Sequence, residues 1–361
     1  MTTAGSTVPD ARRLAWLGTT LVLAMAAAWA CERLGTPLPW MIGPLLATAA
    51  GCMAGVPLRT AAPLRNAGQW AIGTALGLYF TPQVLALLTP LAPALLAGVA
   101  WALLIGALFA AMLRRAMPGV DAATAHFAAA IGGASEMAAL AERHGGRIDM
   151  VAAAHSLRVL LVVLVIPFGY QAAGLHGLDT TPLALHEVRP GGLALLALAT
   201  AAGSLVVRRL GLPNPWVLGS LAVAAALSGA GVELSALPRW ISNGGQLFIG
   251  IALGTRFSRS FLRTAPRWLG AVALGTLAMI AASAGFAWLL AQLVRIEGTA
   301  LHWATVLLGT SPGGIAEMCI TAKVLQLGVP VVTAFHVVRY IAVLLLTGPL
   351  YRRRAARGVL A

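Results

Sequence analysis

The chain has 361 residues, 59% of them hydrophobic and 10% charged, and a formal net charge of +14. These proportions exclude an ordinary water-soluble domain and fit a bilayer as solvent. The basic excess sits in short loops between apolar runs, where it reads as membrane topology; no groove-reading motif accompanies it, so no nucleic-acid partner is expected.

The first apolar run, residues 14–30, follows Arg12 and Arg13 and ends in Ala28-Trp29-Ala30, which resembles a cleavable leader. Its counterpart around residues 193–207 lies in mid-chain, which favours a retained span. Runs at 40–56, 91–113 and 151–168 also have the roughly 20 residues that a spanning helix needs. We predict an N-terminal tail at 1–13, a membrane repeat at 14–170, a connecting loop at 171–190, a second membrane repeat at 191–350 and a tail at 351–361. Cys31, Cys52 and Cys319 lie in or beside apolar segments without metal-ligand spacing, and neither a metal nor another cofactor is expected.

The two repeats declare themselves as three blocks in one order. Arg33-Leu34-Gly35-Thr36-Pro37-Leu38-Pro39-Trp40 returns as Arg209-Leu210-Gly211-Leu212-Pro213-Asn214-Pro215-Trp216, identical at six of eight positions. A pattern from Asn66 to Phe80, Asn-x-Gly-Gln-x-x-Ile-Gly-x-Ala-Leu-Gly-x-x-Phe, returns from Asn243 to Phe257. Gly132-Gly133-Ala134-Ser135-Glu136-Met137 returns as Gly313-Gly314-Ile315-Ala316-Glu317-Met318. Nineteen residues after each Glu stands a His, and three further on an Arg: His155 with Arg158, and His336 with Arg339.

Loop charge suggests how the halves lie. If every apolar element crossed the membrane, the arginines would divide almost evenly between the two sides. If each Gly-Gly-x-x-Glu-Met element instead enters and leaves on one side, only Arg33, Arg189, Arg239, Arg295 and Lys323 oppose the termini, and the other loop basic residues stand with them. The positive-inside rule then predicts an all-α membrane protein of two inverted repeats, each with about five spanning helices and one broken or re-entrant element, and both termini in the cytoplasm. Inverted repeats with interrupted helices are a plan of secondary transporters, with the binding site near the midplane.

Gly132, Gly133, Ser311, Pro312, Gly313 and Gly314 suit a chain that stops and restarts a helix at membrane depth, although small residues also serve close helix packing. Glu136 and Glu317 stand just beyond these breaks in apolar surroundings, where an ionisable group needs a partner, water or a proton. Arg158 and Arg339 lie about 13 to 15 Å along the following helices, near the middle of a core roughly 30 Å thick. His155 and His336 share their faces by i, i+3 spacing. Two readings stay open. The two Arg and two Glu could cancel as structural pairs, or the arginines and half-helix ends could hold an anion beside a histidine that titrates near neutral pH. Asn66, Gln69, Asn243 and Gln246 are candidates for lining the same cavity or for tying helices together. Pro39-Trp40 and Pro215-Trp216 suit helix entry and interfacial anchoring.

The duplicated Arg-Leu-Gly-x-Pro-x-Pro-Trp and Gly-Gly-x-x-Glu-Met blocks resemble the AbrB family of Gram-negative inner-membrane proteins, from about Leu14 to Pro349. This family is distinct from the small DNA-binding transition-state regulator of the same name. The resemblance implies a bacterial inner-membrane location, labels as regulators of gene expression or as ammonia monooxygenases, and a distant likeness to cation-proton antiporter and anion-transporter folds. A monooxygenase metal centre needs clustered ligands, whereas among the seven histidines only His155 and His336 belong to a repeated motif. We therefore expect no enzyme. The leading expectation is a secondary transporter of a small anionic substrate, proton-coupled, with lipid and a small solute or ion as partners and self-association left open. The alternative is a membrane sensor that regulates gene expression on a transporter-like scaffold.

Overall fold

The computed structural model describes residues 11–175, 177, 187–257, 266–296, 299–300 and 302–356. Its first half runs α1 (Ala11–Arg33), α2 (Pro39–Ala54), α3 (Ala62–Gly77), a short α4 (Pro82–Leu88) that passes through a 3-10 turn (Thr89–Leu91) into α5 (Ala92–Ala116), α6 (Ala122–Ala129), α7 (Ala134–Arg143) and α8 (Ile148–Ala172). The second half repeats the order as α9 (Pro190–Arg209), α10 (Pro215–Gly229), α11 (Arg239–Gly254), α12 (Pro266–Leu293), α13 (Trp303–Thr310), α14 (Ile315–Val324) and α15 (Val329–Ala356). Apart from the connecting turns and loops, the described residues are helical except for an antiparallel ladder with two residues in each strand, Arg295–Ile296 with Thr299–Ala300. Proline opens α2, α4, α9 and α10, where its missing N–H costs nothing and its φ is already helical.

Among the described residues, six helical runs are long and apolar enough to cross a membrane: Arg12–Arg33, Pro82–Ala116, Ile148–Ala172, Pro190–Arg209, Pro266–Leu293 and Val329–Ala356. Their outward faces are lined by residues such as Val22, Leu198 and Leu274, which are strongly exposed. The other four expected spans are shorter. Helices α2, α3 and α11 have 16 residues and α10 has 15, which at 1.5 Å per residue is about 24 Å against a core of roughly 30 Å. They can be short because they pack on one another rather than on lipid: Leu38, Met41, Ile42 and Leu45 at α2 and Ile72 and Leu76 of α3 lie in the main core with Val217 and Ile249. At the C-terminus α15 continues to Ala356, past the predicted boundary at residue 350, and half of the predicted 171–190 loop lies outside the described residues.

Glycines set how closely the inner four helices approach. A Cβ on Gly73 of α3 would sit 2.5 Å from the Val217 carbonyl oxygen of α10, and one on Gly250 of α11 would sit 2.5 Å from that of Met41 in α2. One turn later, Gly77 faces the Leu221 carbonyl and Gly254 that of Leu45 in the same way. Each half thus presents its third helix to the second helix of the other, backbone against backbone, an approach only small residues permit. Where α3 meets α11, Gly68 and Gly245 face each other.

Candidate functional site

Two interruptions organise the centre. The chain leaves the helix after Ala129 and resumes it at Ala134; in the other half it does so between Thr310 and Ile315. A helix that stops leaves its last carbonyls without partners, and at these depths no bulk water replaces them.

In the first break Arg158, projecting from α8, supplies the missing donors. Its Nη1 donates to the carbonyls of Ala128 (3.2 Å) and Ala129 (3.5 Å), and its Nη2 to Ala130 (2.9 Å) and to Nδ1 of His155 (2.7 Å). Nε2 of His155 bonds the Phe127 carbonyl at 2.9 Å. The second break repeats the set. Arg339 donates to Ser311, to Gly313 at 2.6 Å and to Nδ1 of His336 at 2.8 Å, while Nε2 of His336 bonds the Leu308 carbonyl at 2.9 Å. A guanidinium can only donate, so each Nδ1 accepts and each Nε2 carries the hydrogen. Both imidazoles are neutral posts with both nitrogens occupied. That differs from the expectation that they titrate near neutral pH, because sequence spacing places them beside an arginine without revealing the carbonyl on their far side.

The acids take the opposite ends. Glu136 and Glu317 occupy the third position of α7 and α14, whose first residues follow Gly133 and Gly314 without a side-chain cap. Each carboxylate folds back over that glycine, so that a Cβ there would collide with Oε2. A third-position acid turned onto the start of its own helix is half of a capping box, and it complements the positive helix end. The arginines accordingly serve helix C-termini and the glutamates N-termini. Of the two open readings, the structural Arg–Glu pairs are not seen: among the described residues the ion pairs within 4.0 Å are Arg147–Asp149 and Arg189–Glu187, both exposed. Because the colliding atom ends a flexible side chain, Gly133→Ala and Gly314→Ala are expected to swing the carboxylates away at a cost below about 2 kcal/mol, the range of a lost cap. Thermal melting checks this, and a larger loss would mean the carboxylate has nowhere to go.

A cavity of about 370 Å³ lies where the two breaks cross. Of the predicted residues it touches Gly132, Gly133, Pro312, Gly313, Gly314, Glu136, Glu317, His155, Arg158, Asn66 and Gln69. Ser311, His336, Arg339, Asn243 and Gln246 are not on its wall, and all but Asn243 are buried. With its amide oriented to satisfy both ends, Asn66 accepts from Trp216 Nε1 at 3.1 Å and donates to the Ala62 carbonyl at 3.3 Å, so it ties α3 to α10. Asn214, at φ 50° just before Pro215, also lines the cavity; its counterpart Leu38 adopts φ 49° and is buried.

Arg65 and Arg256 are the lining residues that sequence reasoning missed. Both are exposed, Arg65 on α3 and Arg256 just beyond the end of α11. Their signal is a departure from the repeat. Arg65 precedes Asn66 where the second copy has Ser242, and Arg256 precedes Phe257 where the first copy has Tyr79. A search for sameness passes over both.

The cavity lies toward one end of the inner helices. Its wall comes from the start of α3, the start of α10 and the end of α11. The matching positions at the far ends, Leu38, Tyr79, Ser242 and Gln246, are all buried, and the Ser242 hydroxyl has no hydrogen-bond partner. Among the described residues no three His, Cys, Asp or Glu side chains cluster as metal ligands would.

A family profile described as "Transition state regulatory protein AbrB" matches residues 40–355. The chain is similar to "Uncharacterized protein YhjN" of Bacillus subtilis, 26% identical over 358 residues, covering 92% of this chain and 91% of that protein. It is also similar to "Putative regulator AbrB" of Escherichia coli, 27% identical over 327 residues, covering 88% and 90% respectively. A relative in Bacillus extends the resemblance beyond the Gram-negative bacteria expected from the motifs.

Proposed function

The chain belongs to the AbrB family, and from that premise we propose that it is a secondary transporter of a small anionic solute, embedded in the bacterial inner membrane with both termini in the cytoplasm. The observation that carries this reading is the meeting of two interrupted helices at one cavity lined by charged and amide side chains and set toward one end of the inner helices. Broken helices whose ends meet at mid-depth, in halves of inverted topology, are the architecture of alternating access. Ten-residue α7 and α14 both begin at the cavity, so two positive helix ends converge there.

The cavity's end of the inner helices is shared with the basic ends of α5 (Arg114, Arg115), α9 (Arg208, Arg209) and α15 (Arg353, Arg354), if the inner helices cross in chain order. By the positive-inside rule that end is cytoplasmic, and the conformation is inward-facing. With both central histidines committed to carbonyls, neither is the coupling group in this reading.

Labelling of single cysteines from either side of the membrane tests the proposal. In a background with Cys31, Cys52 and Cys319 replaced, Ser135→Cys on the cavity wall is expected to react with an impermeant maleimide from the cytoplasmic face. Ser242→Cys, at the far end of the inner helices, is expected to react from the outer face in the alternate state. A Ser242→Cys that stays silent from outside under every condition tried would leave a one-sided pocket, which is the form of a sensor rather than a carrier.

A further inference from the structure

Four arginines surround the centre, and they are not equivalent. Arg158 and Arg339 have their terminal nitrogens bonded to backbone carbonyls and to histidine; only their buried Nε–H groups are without partners. They hold the protein's own oxygens. Arg65 and Arg256 come one from each half, are exposed at the cavity and form no ion pair within 4.0 Å among the described residues. A guanidinium's planar fork matches a carboxylate with two parallel bonds.

The remaining wall narrows the chemistry. Beyond the arginines lie Val159, Val217, Ile249, Leu253 and Ile315, an aliphatic surface with nothing to offer a fully hydrated oxyanion that must shed its water. Glu136 and Glu317 face the same space and would repel a second negative charge. At roughly 30 Å³ per water-sized volume, a cavity of about 370 Å³ takes on the order of a dozen such volumes. That is room for one charged group on a short apolar body.

We propose that the solute is a small organic monocarboxylate whose carboxylate is held by Arg65 and Arg256 at the cavity mouth, with its hydrocarbon part against the aliphatic wall. This deepens the transport reading and takes the cavity from it, but the recognition does not depend on movement across the membrane.

Thermal melting of the purified full chain against four probes tests the assignment, because a ligand that binds the native state raises its stability by mass action. Benzoate is expected to raise the melting temperature, and benzamide, benzylamine and inorganic phosphate are not. Arg256→Gln and Arg65→Gln are each expected to weaken the benzoate response by about thirtyfold or more in concentration, as for removal of one partner of a charged contact, with Arg256→Lys intermediate. Should Arg256→Gln fail to fold, Arg65→Gln and Arg256→Lys still decide. Equal response to benzoate and benzamide, response to phosphate alone, response to no probe, or benzoate binding unchanged in both variants would overturn the proposal. Its failure is separable from that of transport. Two-sided labelling of Ser135→Cys and Ser242→Cys without benzoate binding removes only the substrate class, whereas arginine-dependent binding with one-sided labelling removes only the carrier.

Discussion

Arg158→Ala and Arg339→Ala are each expected to destabilise the protein by on the order of 3–6 kcal/mol, because each strips two or three buried carbonyls of charged donors at about 1–3 kcal/mol apiece. The carbonyls of Ala128, Ala129 and Ala130, and those of Ser311 and Gly313, belong to buried residues and would lose these charged donors. The histidines suffer as well, since His155 and His336 each lose the donor to Nδ1. The measurement is melting of the detergent-solubilised variants, with expression level as a second readout. Lysine should recover only part of the loss, since a point charge cannot span carbonyls that a fork reaches together. Low concentrations of guanidinium, compared with sodium at equal ionic strength, should raise the melting temperature of the alanine variants and not of the parent. If both alanine variants melt with the parent, these arginines do not hold the breaks together and the account of the centre fails.

Next in size are Gly73→Ala and Gly250→Ala, expected to cost about 1–3 kcal/mol each and more in combination. The new Cβ would lie 2.5 Å from a backbone oxygen of the opposing helix, closer than real Cβ atoms come, and backbone cannot rotate out of the way. The helices must separate, and α3–α10 and α2–α11 are the contacts through which the two halves hold each other. Gly270→Ala on α12 is the control. Nothing lies within 4 Å of its Cβ position, so that change should be neutral or gain about 0.4–1 kcal/mol from the unfolded chain's lost freedom. Similar melting of Gly73→Ala, Gly250→Ala and Gly270→Ala would show that the inner helices have slack to give.

How much of this was legible in the residues varies with the physics involved. The breaks were readable because Gly132-Gly133 and Pro312-Gly313-Gly314 are chemically poor helix formers in otherwise helical sequence. The depth of Arg158 and Arg339 followed from counting residues along a helix. Their partners did not, because a free carbonyl has no letter of its own and exists only once the helix before it has ended. The same blindness hid the role of His155. Duplication pointed to Asn66 and Asn243, and to Gln69 and Gln246, as equals; the structure opens the first of each pair to the cavity and removes the second from its wall. Identical sequence cannot say which end of a helix meets the cavity. Arg65 and Arg256 escaped for the converse reason, since they differ from their counterparts and a repeat search rewards agreement. Helix length was legible only for the outer helices. An inner helix answers to its neighbours and not to the thickness of lipid, so α2, α3, α10 and α11 end short of the expected span.

The meeting of Gly68 with Gly245 has a mechanical consequence. Ordinary helix contacts interlock side chain into groove and resist sliding, because any displacement must first lift one row of atoms over another. Here each glycine meets the backbone of the other, with Phe248 and Ile249 on one side and Ala71 and Ile72 on the other as the nearest side chains. Backbone comes against backbone where α3 and α11 meet, one helix from each half, so fewer atoms must be lifted there than in an ordinary helix contact. On the proposed transport reading, this contact is the bearing on which the two halves would turn, while the arginine-braced breaks on either side would keep their shape.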